Sequence, residues 1–340
     1  MTRRTAASGP ISRRSVLKSG VAIAGGSLCG IGSVAATAPD TVTVMTQNLY
    51  LGSALAPVLK AGTEEELERT VDRIYQNVVQ SRFEQRARGV ADGIAAVTPD
   101  VIGLQEVARF VGQDSESATR DYLRILLEKL EENGLSYTEI ASVETFDAAF
   151  AVDSESASGD VRFLNRDVIL AREGVTTSGP DAGTYYTGGR EFGIGRGYCS
   201  ATVEGAFTFV NTHLSTRRAP LAQFAQALEL LARFRDPPTV LVGDFNSGPS
   251  STEARAYDVL TRRFSDAYAV ANPEQEGKTC CQRPALTNEH PALQRRIDHV
   301  FTDGALETRS AERVGHEQSA RVEGRWPSDH AGVVAELELP

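Results

Sequence analysis

Six short polar motifs close apolar runs spread over nearly the whole chain. They are MTQNL (45–49), GLQEV (103–107), NTHLS (211–215), VGDFNS (242–247), RIDHVF (296–301) and SDHAGV (328–333). The apolar runs at 42–47, 100–104, 167–171, 207–212, 239–243, 297–302 and 332–338 are short and bounded by turn residues, so they read as strands. Helical periodicity runs over 64–96, 120–132 and 218–234, with a shorter helix at 252–260, while 153–160 and 174–190 read as loops. Strands and helices mix throughout, and 197–211 has a hairpin pattern, which indicates an α/β sandwich rather than a strict βαβ repeat. Strand ends are where a rigid scaffold aims side chains into one cleft. The motifs can meet there only if residues 39–340 fold as one domain.

Residues 1–38 differ from the rest. They hold no acidic residue, carry Arg13 and Arg14, and run apolar and small from Val21 to Ala38. This reads as a twin-arginine export signal, with the small residues Ala36 and Ala38 marking a cleavage region. The apolar stretch is short and rich in Gly and Ala for a spanning anchor; lipidation of Cys29 is the other alternative. Export would place the protein outside the cell or at its surface. Removing the signal takes five positive charges with it and moves the formal charge from −10 to −15. Only four of the 35 basic residues are Lys. An acidic, Lys-poor surface suits concentrated salt, so a halophilic habitat is expected. The balance argues against a broadly basic nucleic-acid-binding face. At molar salt, however, the Debye length is only about 3 Å, so net charge does not exclude a polyanionic substrate. Outside the signal the cysteines are Cys199, Cys280 and Cys281. Either Cys199 pairs with one of the adjacent two or all three are unpaired; neighbouring cysteines rarely bond to each other.

Each motif alone has an ordinary explanation. Asp244 and Asn246 before Ser-Gly-Pro suit a turn, His213 suits a satisfied core histidine, and Asp298 suits an ion pair with Arg295 or Arg296. As a set, Asn48, Glu106, His213, Asp244, Asn246, Asp298, Asp329 and His330 supply hard oxygen ligands for a divalent cation and two imidazoles. That combination points to metal-assisted attack on a phosphate ester. Neither Ser215 nor Ser247 sits in a motif typical of a covalent nucleophile.

The ordered series Asn-Leu, Leu-Gln-Glu, Thr-His-Leu, Gly-Asp-Phe-Asn, Arg-Ile-Asp and Ser-Asp-His resembles the endonuclease/exonuclease/phosphatase superfamily over about 45–338. The resemblance implies a DNase I-like, four-layered α/β sandwich, with two mixed β-sheets face to face, helices outside and the site at one edge. It implies Glu106 as principal Mg²⁺ ligand with Asn48 beside it (Mn²⁺ or Ca²⁺ being alternatives), and Asp329 helping to hold metal. Asp244 and Asn246 would position and polarise the attacking water, Asp244 also touching the metal. His330 would contact the scissile phosphate with Asp298 orienting its ring, and His213 would be a second imidazolium donor. Either Asp244 or His330 would be the base. Asp167, in NRDVIL, stands where the family often has an Asn near the leaving group.

The LQEV and RIDHVF forms and the export signal look most like secreted nucleases and sphingomyelinase-type enzymes. The expected substrate is a phosphodiester of nucleic acid. The alternatives are a phospholipid head group, a phosphomonoester, or a catalytically silent surface-binding module on the same fold. Arg196, Tyr198, Arg217 and Arg218 are candidate substrate contacts. No stable protein partner is expected, and the chain reads as a monomer.

Overall fold

The computed structural model describes residues 41–339 except 113–119, 155–156, 187–194, 237 and 250–254. The expected export signal and Cys29 lie outside the described residues, as does the start of the 252–260 helix. One seven-stranded sheet contains β1 (Thr41–Asn48), β2 (Val101–Gly112), β3 (Arg120–Asp121), β4 (Tyr137–Ser154), β5 (Ala157–Arg172), β12 (Glu307–Val314) and β13 (Gly332–Glu338). Its order is β12-β13-β1-β2-β5-β4, with β3 pairing β2. The six-stranded second sheet contains β6 (Thr177–Thr184), β7 (Gly197–Val203), β8 (Phe207–His213), β9 (Thr239–Asp244), β10 (Ser265–Asp266) and β11 (Asp298–Thr302), ordered β10-β11-β9-β8-β7-β6. Each sheet is mixed: β1 and β2 are parallel, β8 and β9 are parallel, and the other pairings are antiparallel.

Period-two alternation explains the layers. Val42, Val44, Val101 and Ile169 face Phe209, Val240, Val242 and Val300 between the sheets. Their strand neighbours Met45, Ile102, Leu104 and Leu170 point outward to Phe83 and Ile94 of α2 (Phe83–Val97) and Leu126 of α3 (Tyr122–Glu132). On the far side, Val210, Leu241 and Phe301 meet Ala227 and Leu230 of α4 (Pro220–Arg233) and Val259 of α5 (Arg255–Leu260). Two mixed sheets flanked by helices are thus the architecture expected. Gly103 lets the sheets approach: a Cβ there would meet Asn211 Oδ1 at 2.7 Å. The Asn211 amide crosses that gap, donating to Leu104 O at 2.9 Å and Val168 O at 3.0 Å.

Three local expectations change. The helix read over 64–96 is two, α1 (Glu64–Gln80) and α2, broken where Arg82 takes a left-handed φ of 52°. That break turns Phe83 onto Tyr122, where the rings stack at 3.7 Å. The 153–160 loop is the tip of the β4–β5 hairpin, with strand pairing running to Ser154 and Ala157. Within 174–190, Thr177–Thr184 is an edge strand; it is largely exposed, so no apolar alternation marked it. Cys199 reaches neither of the adjacent pair: Cys280 and Cys281 lie side by side, and Cys199 is free and buried in the core between the sheets.

Candidate active site

The two parallel pairs bring four strand ends to one edge. Asn48 pairs with Gln105 in register, His213 pairs with Asp244, and Asp298 at the start of β11 lies opposite Asp244. The segment 328–331 enters the same edge just before β13. Glu106 arrives differently. A register shift between Leu104 and Val107 and a left-handed φ of 57° lift it out of the strand's alternation. Its carboxylate accepts from Leu51 N at 2.6 Å and from Asn48 Nδ2 at 3.4 Å. Asn48 Nδ2 also donates to Asp244 Oδ2 at 3.2 Å, while its Oδ1 accepts from Tyr50 N at 2.9 Å. Asn246, also left-handed (φ 51°), donates its backbone N–H to Asp244 Oδ1 at 2.8 Å.

The imidazoles stand on either side of Asp244. Nε2 lies 3.4 Å from Asp244 Oδ2 in His213 and 3.9 Å in His330. His330 donates Nδ1–H to Asp298 at 2.9 Å, and Thr279 Oγ1–H donates to the same carboxylate at 2.6 Å. Burial alone would lower the His330 pKa, but Asp298, Asp329 and Asp244 outweigh it and raise it well above the ordinary histidine value. His330 is therefore an imidazolium at neutral pH, which makes it a poor base. His213 goes the other way: burial, then Arg196 and His330, hold it well below the usual range. Its Nε2 faces the Asn246 amide N–H₂ at 3.2 Å, which also donates to Leu214 O at 3.1 Å. The imidazolium expected at His213 is thus a neutral ring.

The carboxylates are under-compensated. Burial, the Asp298 charge and Glu106 push Asp244 up to about 6, against His330 and the Asn246 N–H. Burial and Glu106 push Asp329 up to about 7, and its buried Oδ1 has no hydrogen-bond partner. Asp167 is fully buried behind the cleft wall with both oxygens unpartnered. Burial raises it to about 7, opposed chiefly by Arg196. Asn165, two residues earlier on the same strand, lines the cleft. Crowded carboxylates with an orphaned oxygen are a donor set that a divalent cation fits. Asp244, Asp298 and His330 offer a second cluster, with ligand atoms within 4.8 Å of one another. There a cation would compete with the His330 proton.

The cleft has a volume of about 380 Å³, with Glu106, Asp329, His213 and Asn246 on its floor. Its rim carries Arg196, Arg217, Arg218 and Arg295, none of which forms an ion pair among the described residues. The Arg295 guanidinium donates Nη2–H to the Cys280 and Cys281 sulfurs at 3.4 and 3.6 Å. Sequence reasoning missed several supports. Arg86 is fully buried and donates to Leu49 O, Tyr50 O and Pro327 O at 2.8–3.0 Å, bracing the two loops that flank Asn48 and Asp329. A charge on the apolar face of α2, between Phe83 and Val90, was the available signal. Ser328 accepts from His330 N and donates to Asn48 O, and nothing in its local sequence distinguished it from a turn serine.

Comparison with known proteins agrees with this fold. An endonuclease/exonuclease/phosphatase from Beutenbergia cavernae has a similar structure, at TM-score 0.57 and 22% identity over 88% of this chain and 72% of that one. A family protein from Leptotrichia buccalis gives 0.56 at 16% identity, over 88% and 100%. D. rerio TDP2, complexed with single strand DNA product, gives 0.54 at 16%, over 88% and 100%. These likenesses establish the fold. No match to a curated protein sequence was found. The sequence pattern of the Endonuclease/Exonuclease/phosphatase family matches residues 45–330, the stretch that carries every group placed at this edge, and the chain belongs to that family.

Proposed function

We propose that the protein is a secreted, divalent-metal-dependent phosphodiesterase acting on nucleic acid by in-line attack of water, with Mg²⁺ as the preferred ion. The observation that carries this reading is a cleft lined by Glu106, Asp329, His213 and an arginine rim, with an ionisable Asp244 and a protonated His330 buried directly against that lining, 3.4 Å from His213 and 3.8 Å from Asp329 respectively. Glu106 and Asp329, with Asn48 fixing Glu106, would hold the cation, which when bound neutralises phosphate charge and eases departure of the alkoxide. Asp244, above its pKa of about 6, accepts the proton of the attacking water, oriented by Asn246 N–H and Asn48 Nδ2. His330 Nε2–H points at the floor without a close partner, 3.8 Å from Asp329 and 3.9 Å from Asp244. It is placed to donate to a phosphoryl oxygen as charge builds. Asp298 and Thr279 hold that ring in position.

A second reading has its own support. An apolar crevice of about 70 Å³, lined by Leu55, Val71, Phe146 and Phe150, shares Leu55 with the cleft, which would suit an amphiphilic phosphodiester. The test compares plasmid DNA, RNA, a bis-aryl phosphate, an aryl monophosphate and phospholipid vesicles at high salt, with Mg²⁺, Mn²⁺, Ca²⁺ or chelator. Metal-dependent cleavage of DNA or RNA is expected. Turnover of vesicles alone moves the reading to the lipid class, and no turnover by folded, metal-loaded protein overturns it.

A further inference from the structure

We infer that the cleft continues into a second groove built to hold the backbone of a polyanionic strand. The substrate would then be a polynucleotide held over several phosphates, with Arg73 and Arg325 contacting one remote from the bond cut. The inference rests on the phosphodiesterase reading above and deepens it, naming how a strand is held and by which residues. The second groove, of about 400 Å³, adjoins the catalytic cleft along Tyr50, Ser53 and Ala54, which line both.

Its lining is the argument. The chain has 45 acidic and 35 basic residues and a net charge of −10, yet no acidic residue lines this groove, while two arginines do. They converge from distant parts of the chain, Arg73 from α1 and Arg325 from the turn ahead of β13. Arg73 is exposed, and Arg325 is half-buried and anchored by donating Nη1–H to Ala285 O at 3.0 Å. The rest of its guanidinium fork is presented at a fixed place. Guanidinium matches phosphate with paired donors, and here it stands among uncharged polar groups, Asn77 and Thr287 among them. Of the two grooves, acids line only the catalytic cleft, and each carries arginines. A strand running from one groove into the other would meet Arg217 and Arg218 in the first and Arg73 and Arg325 in the second. The groove also has apolar lining, Pro57, Ile74 and Pro284 among it, and Ile74 borders the apolar crevice as well, so the two arginines are what mark it for phosphates rather than for an acyl chain.

The experiment measures kcat/KM of the wild type and the Arg73→Gln/Arg325→Gln double variant. The substrates are a bis-aryl phosphodiester, a dinucleotide and a single strand of about twelve nucleotides, within the roughly 4–16-nucleotide span of single-strand sites. In the wild type, kcat/KM should climb with strand length. In the double variant, the long-strand to diester ratio should fall about tenfold at low salt, through KM, for two lost phosphate contacts. The slope of log KM against log salt should fall by about 2, one per contact. Length-independent rates in the wild type overturn the inference while leaving the phosphodiesterase reading intact. An equal fall on all three substrates in the double variant, or no fall on any, also overturns it. A wild type that cleaves none of them defeats both readings.

Discussion

Two buried Asp–His pairs stand on the two faces of β11, and they have been put to opposite uses. Asp266 meets His299 Nδ1 at 3.2 Å and Arg296 at 3.0 Å, accepts from Tyr257 OH at 3.0 Å, and caps α6 (Ala267–Ala271) through Ala269 N at 3.2 Å. Burial works against its charge, but these partners outweigh it and hold its pKa at about 2. His330 bonds Asp298 just as closely, at 2.9 Å, yet its far nitrogen is left open and the carboxylates beyond it are raised to about 6 and 7. One pair is saturated and holds the fold. The other is deliberately incomplete on the side facing the cleft, where substrate and cation would complete it. A perturbed pKa by itself does not separate the two; the direction in which the carboxylates are shifted, and whether an unpartnered carboxylate oxygen faces the cleft as in Asp329, do.

The sharpest way to break this contrast is to neutralise one carboxylate from each group. Asp244→Asn should lower kcat by about 10²–10⁴, the usual share of a general base, with thermal stability kept or improved, because a costly buried charge is removed. Wild-type-like turnover would take the base role from Asp244. Asp266→Asn should do the reverse. Breaking a buried, fully paired ion cluster costs about 3–5 kcal/mol, read by denaturant unfolding, while the folded fraction keeps near-normal kcat. A stable Asp266→Asn protein with collapsed kcat would mean that the Asp266 cluster belongs to the site.

Much of this division was legible in the sequence, and the illegible part has physical causes. The strands ending in Asn48, His213 and Asp244 carried plain apolar runs, so their convergence followed from parallel pairing. Of the two readings the sequence allows for Asp298, an ion pair with Arg295 or Arg296 or a contact that orients His330, the structure has the second: Arg296 belongs to Asp266, and Asp298 takes His330. His299, one residue along the same motif, alternates to the other face of β11 and so joins the structural pair. Glu106 depends on a bulge that no alternation pattern announces. Arg86, Thr279 and Ser328 act through contacts distant in sequence, and nothing local marks Thr279 or Ser328. The edge strands β6 and β12 are mostly exposed, so the hydrophobic signal was absent.

The smaller effects sharpen the comparison because they differ in sign with pH. Asp266 is depressed from the usual carboxylate value to about 2. Its contribution is fully present above about pH 4 and disappears as pH falls through 2, about 2–3 kcal/mol in all. The stability gap between wild type and Asp266→Asn should therefore be flat from neutral pH down to about 4 and should narrow below that.

Asp329 is raised to about 7, so the metal-free folded state holds a proton there that the unfolded chain has released between about pH 4 and 7. The wild type should lose stability relative to Asp329→Asn as pH rises through that window, by about 4 kcal/mol in all and about 3 kcal/mol of it above pH 5. Saturating Mg²⁺ should erase or reverse this gap, because a bound cation stabilises the ionised carboxylate only where it is present. Unfolding curves at pH 5 and pH 8, with and without Mg²⁺, measure it. A gap indifferent to both pH and metal would mean that Asp329 is satisfied as it stands, and the open side of the His330 cluster would then need another explanation.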